Sequence, residues 1–183
     1  RAVTSVNTSS GLSASAITIG SYATLPRFVV SGELTSGSTT TPGTINAMVS
    51  GPGGGSATGL GILNLAVVPE IDVLAHGSIS ASVQTSTITP TPDIASSKAP
   101  FSMSSAAIVD ASGLVKTINN AGTIAALNTV QTLANNTVVI NTAHAIDLLA
   151  STTGGTTVNN SGTIEGDIYF GAGGGGNTLN VGN

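Results

Sequence analysis

Apolar residues come along this chain in short β-branched runs, Ile17-Thr18-Ile19, Arg27-Phe28-Val29-Val30 and Thr137-Val138-Val139-Ile140, each bounded by Gly, Asn, Ser and Pro. Helical repeats would carry Ala, Leu, Glu and Lys at a period of about 3.6 residues, whereas runs of this kind between turn-forming clusters predict strands and tight turns.

The order in which the runs recur adds a second constraint. Ile118-Asn119-Asn120-Ala121-Gly122-Thr123-Ile124 matches Val158-Asn159-Asn160-Ser161-Gly162-Thr163-Ile164 at an offset of 40 residues, five of seven positions being identical. Ala107-Ile108-Val109-Asp110-Ala111-Ser112 resembles Ala145-Ile146-Asp147-Leu148-Leu149-Ala150-Ser151 with a slip of one residue. Fainter copies come earlier: Ile71-Asp72-Val73-Leu74-Ala75 echoes Ile146 to Ala150, and Gly77-Ser78-Ile79, Gly43-Thr44-Ile45 and Gly32-Glu33-Leu34 repeat a Gly-x-Ile/Leu step. Such self-similarity marks stacked repeats. The predicted fold is therefore all-β, a parallel β-solenoid (β-helix).

With rungs of about 20 residues spaced about 4.8 Å apart, the 40-residue repeat would span two rungs. Asn119 and Asn159 would stack into an amide ladder, Gly122 and Gly162 would turn corners at positive φ, and Ile124 and Ile164 would belong to a narrow aliphatic interior. Residues 1–183 read as a single segment, with degenerate rungs over 1–100 and better-defined repeats over 101–183. Gly/Pro-rich loops would project at 36–42, 51–61 and 85–100, the middle one being too rich in glycine for a strand.

Composition narrows the function. Only 7% of the residues are charged, against about 25% in an ordinary domain, and Ser, Thr, Asn and Gly make up nearly half of the chain, so its surface is hydroxyl and amide. Aromatic residues are 3% and Cys is absent, which removes thiol chemistry and argues against a conventional enzyme core. The four basic residues, Arg1, Arg27, Lys98 and Lys116, are scattered within a net charge of -4; neither nucleic acid nor an anionic membrane surface is an expected partner. The longest nearly apolar stretch, Leu60 to Leu74, is broken by Asn64, Pro69, Glu70 and Asp72, so no direct membrane insertion as a helix is expected. A start at Arg1 without a leader suggests a processed product or a piece of a longer precursor.

The motifs Ala107-Ile108-Val109-Asp110-Ala111-Ser112-Gly113, Ile118 to Ile124, and Val158 to Ile164 leading to Gly166-Asp167-Ile168-Tyr169-Phe170-Gly171 resemble the passenger regions of autotransporters, the type V secreted proteins of Gram-negative bacteria, and in particular alphaproteobacterial members. The tail Gly173-Gly174-Gly175-Gly176-Asn177-Thr178-Leu179 is similar to a frequent close in that family, without its acidic residue. The resemblance covers about 80 residues well. It implies a surface-exposed passenger at the outer membrane, followed in the precursor by a translocator barrel that is absent from this sequence.

Candidate chemistry is sparse. His76 follows Glu70 and Asp72, and His144 precedes Asp147 by three residues, but there is no Gly-x-Ser-x-Gly elbow, and both histidines are placed at rung corners instead. Glu70/Asp72 and Glu165/Asp167 could each present two carboxylates on one face of a strand, as polysaccharide-cleaving β-helices do; with no Arg or Lys alongside, solvated charges on an outer face are the simpler reading. Gly171 to Gly176 lacks the Lys of a phosphate loop and the Asp of a calcium repeat, and reads as a turn. Sequons at Asn7, Asn135 and Asn159 are chance products of Asn-rich repeats.

No catalytic residue, metal or cofactor is thus expected. The expected function is that of a non-enzymatic extracellular structural or adhesive protein, whose partners are host or neighbouring cell surfaces, polysaccharide, and the outer-membrane barrel of its precursor. The main alternative is a filament subunit that stacks on other copies through its end rungs. A polysaccharide-active β-helix enzyme is the third class.

Overall fold

The structure, a computed structural model, describes residues 2–5, 12–35, 39–41, 43–51, 54–85, 101–129, 139–148, 150, 155–171 and 175–182. β1 (Ala2–Ser5), β2 (Leu12–Ile19) and β3 (Phe28–Val30) make the first turn of the chain. A hairpin of β4 (Glu33–Thr35) and β5 (Thr39–Thr41) leads to the second turn: β6 (Gly43–Gly51), β7 (Gly54–Ile62) and β8 (Glu70–Val73). The third turn is β9 (Gly77–Thr85), β10 (Phe101–Asp110) and β11 (Thr117–Asn120), and the fourth is β12 (Thr123–Thr129), β13 (Val139–Leu148) and β14 (Thr157–Asn160). β15 (Thr163–Glu165), β16 (Asp167–Phe170) and β17 (Thr178–Val181) close the series. Like strands of successive turns pair in parallel, giving a first sheet β1-β6-β9-β12-β15, a second β2-β7-β10-β13-β16 and a third β3-β8-β11-β14-β17. Among the described residues there is no helix, and the three sheets of stacked parallel strands are those of a parallel β-solenoid.

The rung is longer than expected. Asn119 pairs with Asn159 and Ile124 with Ile164 on adjacent strands, so the 40-residue repeat is one turn and not two. Only the last turn, in which Asn159 pairs with Asn180, is short, at 21 residues. Strand length is one reason: β10 and β13 run to 10 residues each, so one such strand alone would take half of a 20-residue rung. The two halves of the chain follow the same three-stranded plan, and every sheet takes strands from both.

Register explains the interior. Ile45, Ile79, Ile124 and Ile164 form a column in the first sheet. Ile17, Leu60, Ile108, Ile146 and Ile168 form one in the second, and Phe28, Ile71, Ile118, Val158 and Leu179 one in the third. Ile71, Ile79, Ile108, Ile118, Ile124 and Ile146 are completely buried, each side chain contributing about 1.5–3 kcal/mol. Between the first two sheets a second cluster of Ala14, Ala47, Val49, Ala57, Ala81, Val83 and Met103 lets the sheets approach closely.

Three of the expected loops fare differently. Most of 51–61 is the central strand β7, not a loop, and Gly54, Gly55 and Gly59 sit where neighbouring backbone leaves no room: a Cβ on Gly59 would lie 2.6 Å from the Ala107 oxygen and 3.0 Å from that of Ser80. Part of 36–42 belongs to the β4/β5 hairpin, which pairs antiparallel and joins none of the three sheets. Residues 86–100 lie outside the described residues, as do Asn7 and Asn135.

Candidate functional site

The repeat motif occupies the third sheet and the corner that follows it. In β11 the side chain of Ile118 points inward and is fully buried, so strand alternation turns Asn119 outward. One turn on, Asn159 stands directly over Asn119, and one further, Asn180 over Asn159. The Nδ2 of Asn180 donates to the Oδ1 of Asn159 (2.8 Å), and that of Asn159 to the Oδ1 of Asn119 (2.8 Å). Asn119 in turn donates to Asp72 Oδ1 at 2.7 Å and Glu70 Oε1 at 3.2 Å. The column thus runs through four turns, from a carboxylate pair through three amides.

The foot of this column corrects the expectation for Glu70 and Asp72. They share a face as alternation requires, but Asp72 is buried, with 2% exposure, and Arg27 of the turn below lies against both. Arg27 Nε donates to Asp72 Oδ2 and lies 4.0 Å from Glu70 Oε1. The pair is a cation-compensated anchor, not two solvated charges. The sequence offered no flag for Arg27: it pairs with Glu70 through the register that sets Phe28 on Ile71, and the two stretches share no recognisable motif.

Asn120 and Asn160 make a second column at the corner. Asn120, 2% exposed, donates through Nδ2 to Asn160 Oδ1 at 2.7 Å and to the Thr163 carbonyl at 3.0 Å, while its Oδ1 accepts from the Gly122 amide at 3.2 Å. Gly122 and Gly162 do turn the corner, but neither adopts positive φ. They are glycines because the preceding turn leaves no space: a Cβ on Gly122 would meet the carbonyl oxygens of Gly77 and Leu74, and one on Gly162 that of Gly122. At this corner positive φ falls instead on His76 (φ 67), one residue before Gly77, the equivalent of Gly122; after the second sheet Tyr22 and Leu65 (both φ 67) and Gly113 (φ 71) adopt the left-handed region.

A groove of about 400 Å³ runs along the corner, with Asn119, Asn159 and Asn180 among its walls and Val73, Leu74 and Ala121 among its apolar lining. Ser161 and Gly182 complete its far side, and no charged side chain lines it.

The other candidates scatter. Asp110, 1% exposed, accepts at Oδ1 from the Ser112 and Gly113 amides (2.9 and 3.1 Å) and from Ser112 Oγ (2.6 Å), and at Oδ2 from the Val115 amide (3.2 Å); its carboxylate is spent on shaping a corner. His76 lies exposed in the turn between β8 and β9, as expected, at φ 67. His144 does not lie at a corner but within β13, where its ring stacks on Tyr169 with centroids 5.4 Å apart and its Nδ1 lies 3.5 Å from Asp147 Oδ2. Glu165 and Asp167 end one strand and begin the next, separated by Gly166 at φ 114, so they do not share a strand face. Gly175 and Gly176 form a turn before β17. Among the described residues no three His, Asp or Glu side chains group as a metal site would require, and no helix is long and apolar enough to cross a membrane.

No protein-family model matches the chain, nor does any curated protein or solved structure.

Proposed function

We propose that this chain is a non-enzymatic extracellular structural and adhesive protein, the surface-exposed passenger segment of an autotransporter-like precursor. The observation that carries the reading is the outward column Asp72-Asn119-Asn159-Asn180, in which polar side chains that could do chemistry or bind tightly are first of all committed to holding successive turns together. Arg27 and Asp72 are committed in the same way, and Asp110 to shaping its own corner. What remains outward is a surface of amide and hydroxyl groups interspersed with exposed apolar side chains such as Tyr22, Leu65 and Leu127, suited to many weak contacts. Beads coated with the purified chain should adhere under flow to the surface of cells or to immobilised polysaccharide; adherence no greater than that of albumin-coated beads would overturn the reading.

Self-stacking is the second reading, and a specific exposure favours it. Leu179 continues the column of Ile118 and Val158, both fully buried, yet is 45% exposed, and Val181 is 69% exposed. The outer edge of β17 has no strand partner among the described residues, and an unpaired edge with apolar side chains is a template for another strand. Electron microscopy of the concentrated chain should then show fibres lengthening with time, whereas rods of one short length would remove this reading.

A further inference from the structure

We infer that the corner groove is a binding site for an uncharged oligosaccharide lying along the solenoid axis; this deepens the adhesive reading and rests on it. Three features select that ligand class. First, the groove has no charged lining, so neither an anionic nor a cationic ligand would find a counter-charge. Second, its polar wall is periodic. Asn119, Asn159 and Asn180 recur once per turn, at the spacing of about 4.8 Å that separates paired strands. Each amide can make about four hydrogen bonds. Asn159 uses one donor on Asn119 and one acceptor for Asn180, which leaves an N–H and a lone pair on a half-buried amide, and the exposed Asn180 has more to spare. A pyranose unit presents a donor-and-acceptor hydroxyl edge and advances by about one rung spacing in an extended chain, whereas an extended peptide advances by about 3.3 Å and drifts out of step.

Third, the groove has an apolar side. The exposed Ala121 and the 41%-exposed Leu74 offer the surface against which the C–H face of a sugar ring packs while its hydroxyls reach the amides. A volume of about 400 Å³ spread over four turns suits a short run of sugar units better than a single compact ligand.

The test is titration of the isotopically labelled chain with neutral gluco-, manno-, galacto- and N-acetylhexosamine-configured tri- and tetrasaccharides, read from the side-chain amide resonances of Asn159 and Asn180. At least one configuration should shift these resonances saturably, and Leu74→Asp should weaken that binding at least tenfold. Leu127→Asp, on an exposed position of β12, should leave it unchanged. Both variants are checked for a wild-type circular dichroism spectrum. Asn180→Ala, at the exposed top of the column, gives a second lesion should Leu74→Asp not fold, and should weaken binding by a similar factor. No shift with any configuration, equal binding by Leu74→Asp or Asn180→Ala in their folded forms, or a preference for charged sugars would overturn the inference. Adherent beads without a sugar response at the groove would sink this inference alone, and a sugar response without adherence would sink the adhesive reading alone.

Discussion

Gly122 and Gly20 separate two reasons for glycine. A methyl group at Gly122 would meet the carbonyl oxygens of the turn beneath, and the parallel pairing on both sides leaves that backbone nowhere to go. Gly122→Ala should therefore cost about 1–3 kcal/mol in urea unfolding. Nothing lies within 4 Å of a Cβ at Gly20, so Gly20→Ala should change stability by no more than about 0.5 kcal/mol. Asp110 makes a third case. Its carboxylate satisfies the amides of Ser112, Gly113 and Val115 inside the wall, and Asp110→Ala would leave them without that acceptor, for an expected loss of about 2–3 kcal/mol. The same urea series checks all three.

At the level of strands and columns, the repeat motif was legible because stacking demands likeness: identical positions in Asn119/Asn159, Gly122/Gly162 and Ile124/Ile164 are vertical neighbours. The Gly-x-Ile steps at Gly77 and Gly43 proved to be the same corner one and two turns earlier. The echo of Ile71 in Ile146 was false, for these residues lie in different sheets, and so was the reading of Gly54 to Gly61 as a loop. Composition reports what a strand prefers in isolation; a strand flanked on both sides obeys the space its neighbours leave. Arg27 escaped notice for a related reason, since an ion pair across turns leaves no trace in local pattern. Arg27→Ala should lower stability by about 1–3 kcal/mol by stranding the buried Asp72 carboxylate, and adding Asp72→Asn should restore part of that loss. A double-mutant cycle measures the recovery.

For the whole molecule, stacking makes stability nearly one-dimensional, each turn relying on those above and below. Ile118, fully buried in the third turn, should cost about 2–5 kcal/mol when cut to Ala, while the half-exposed Leu179 of the last turn should cost clearly less. Amide exchange should show β11 protected up to global unfolding and β17 opening more readily, which mass spectrometry of deuterated peptides can resolve. The amide column adds something that neither burial nor pairing supplies. A carboxylate can only accept hydrogen bonds, so Asp72 dictates that Asn119 face it with nitrogen and turn oxygen upward, and that choice is copied by Asn159 and again by Asn180. The carboxylate pair at its foot therefore sets the polarity of every amide in this column, and the column has a direction, so that a further turn arriving at Asn180 is met by an acceptor and is selected for bringing a donor.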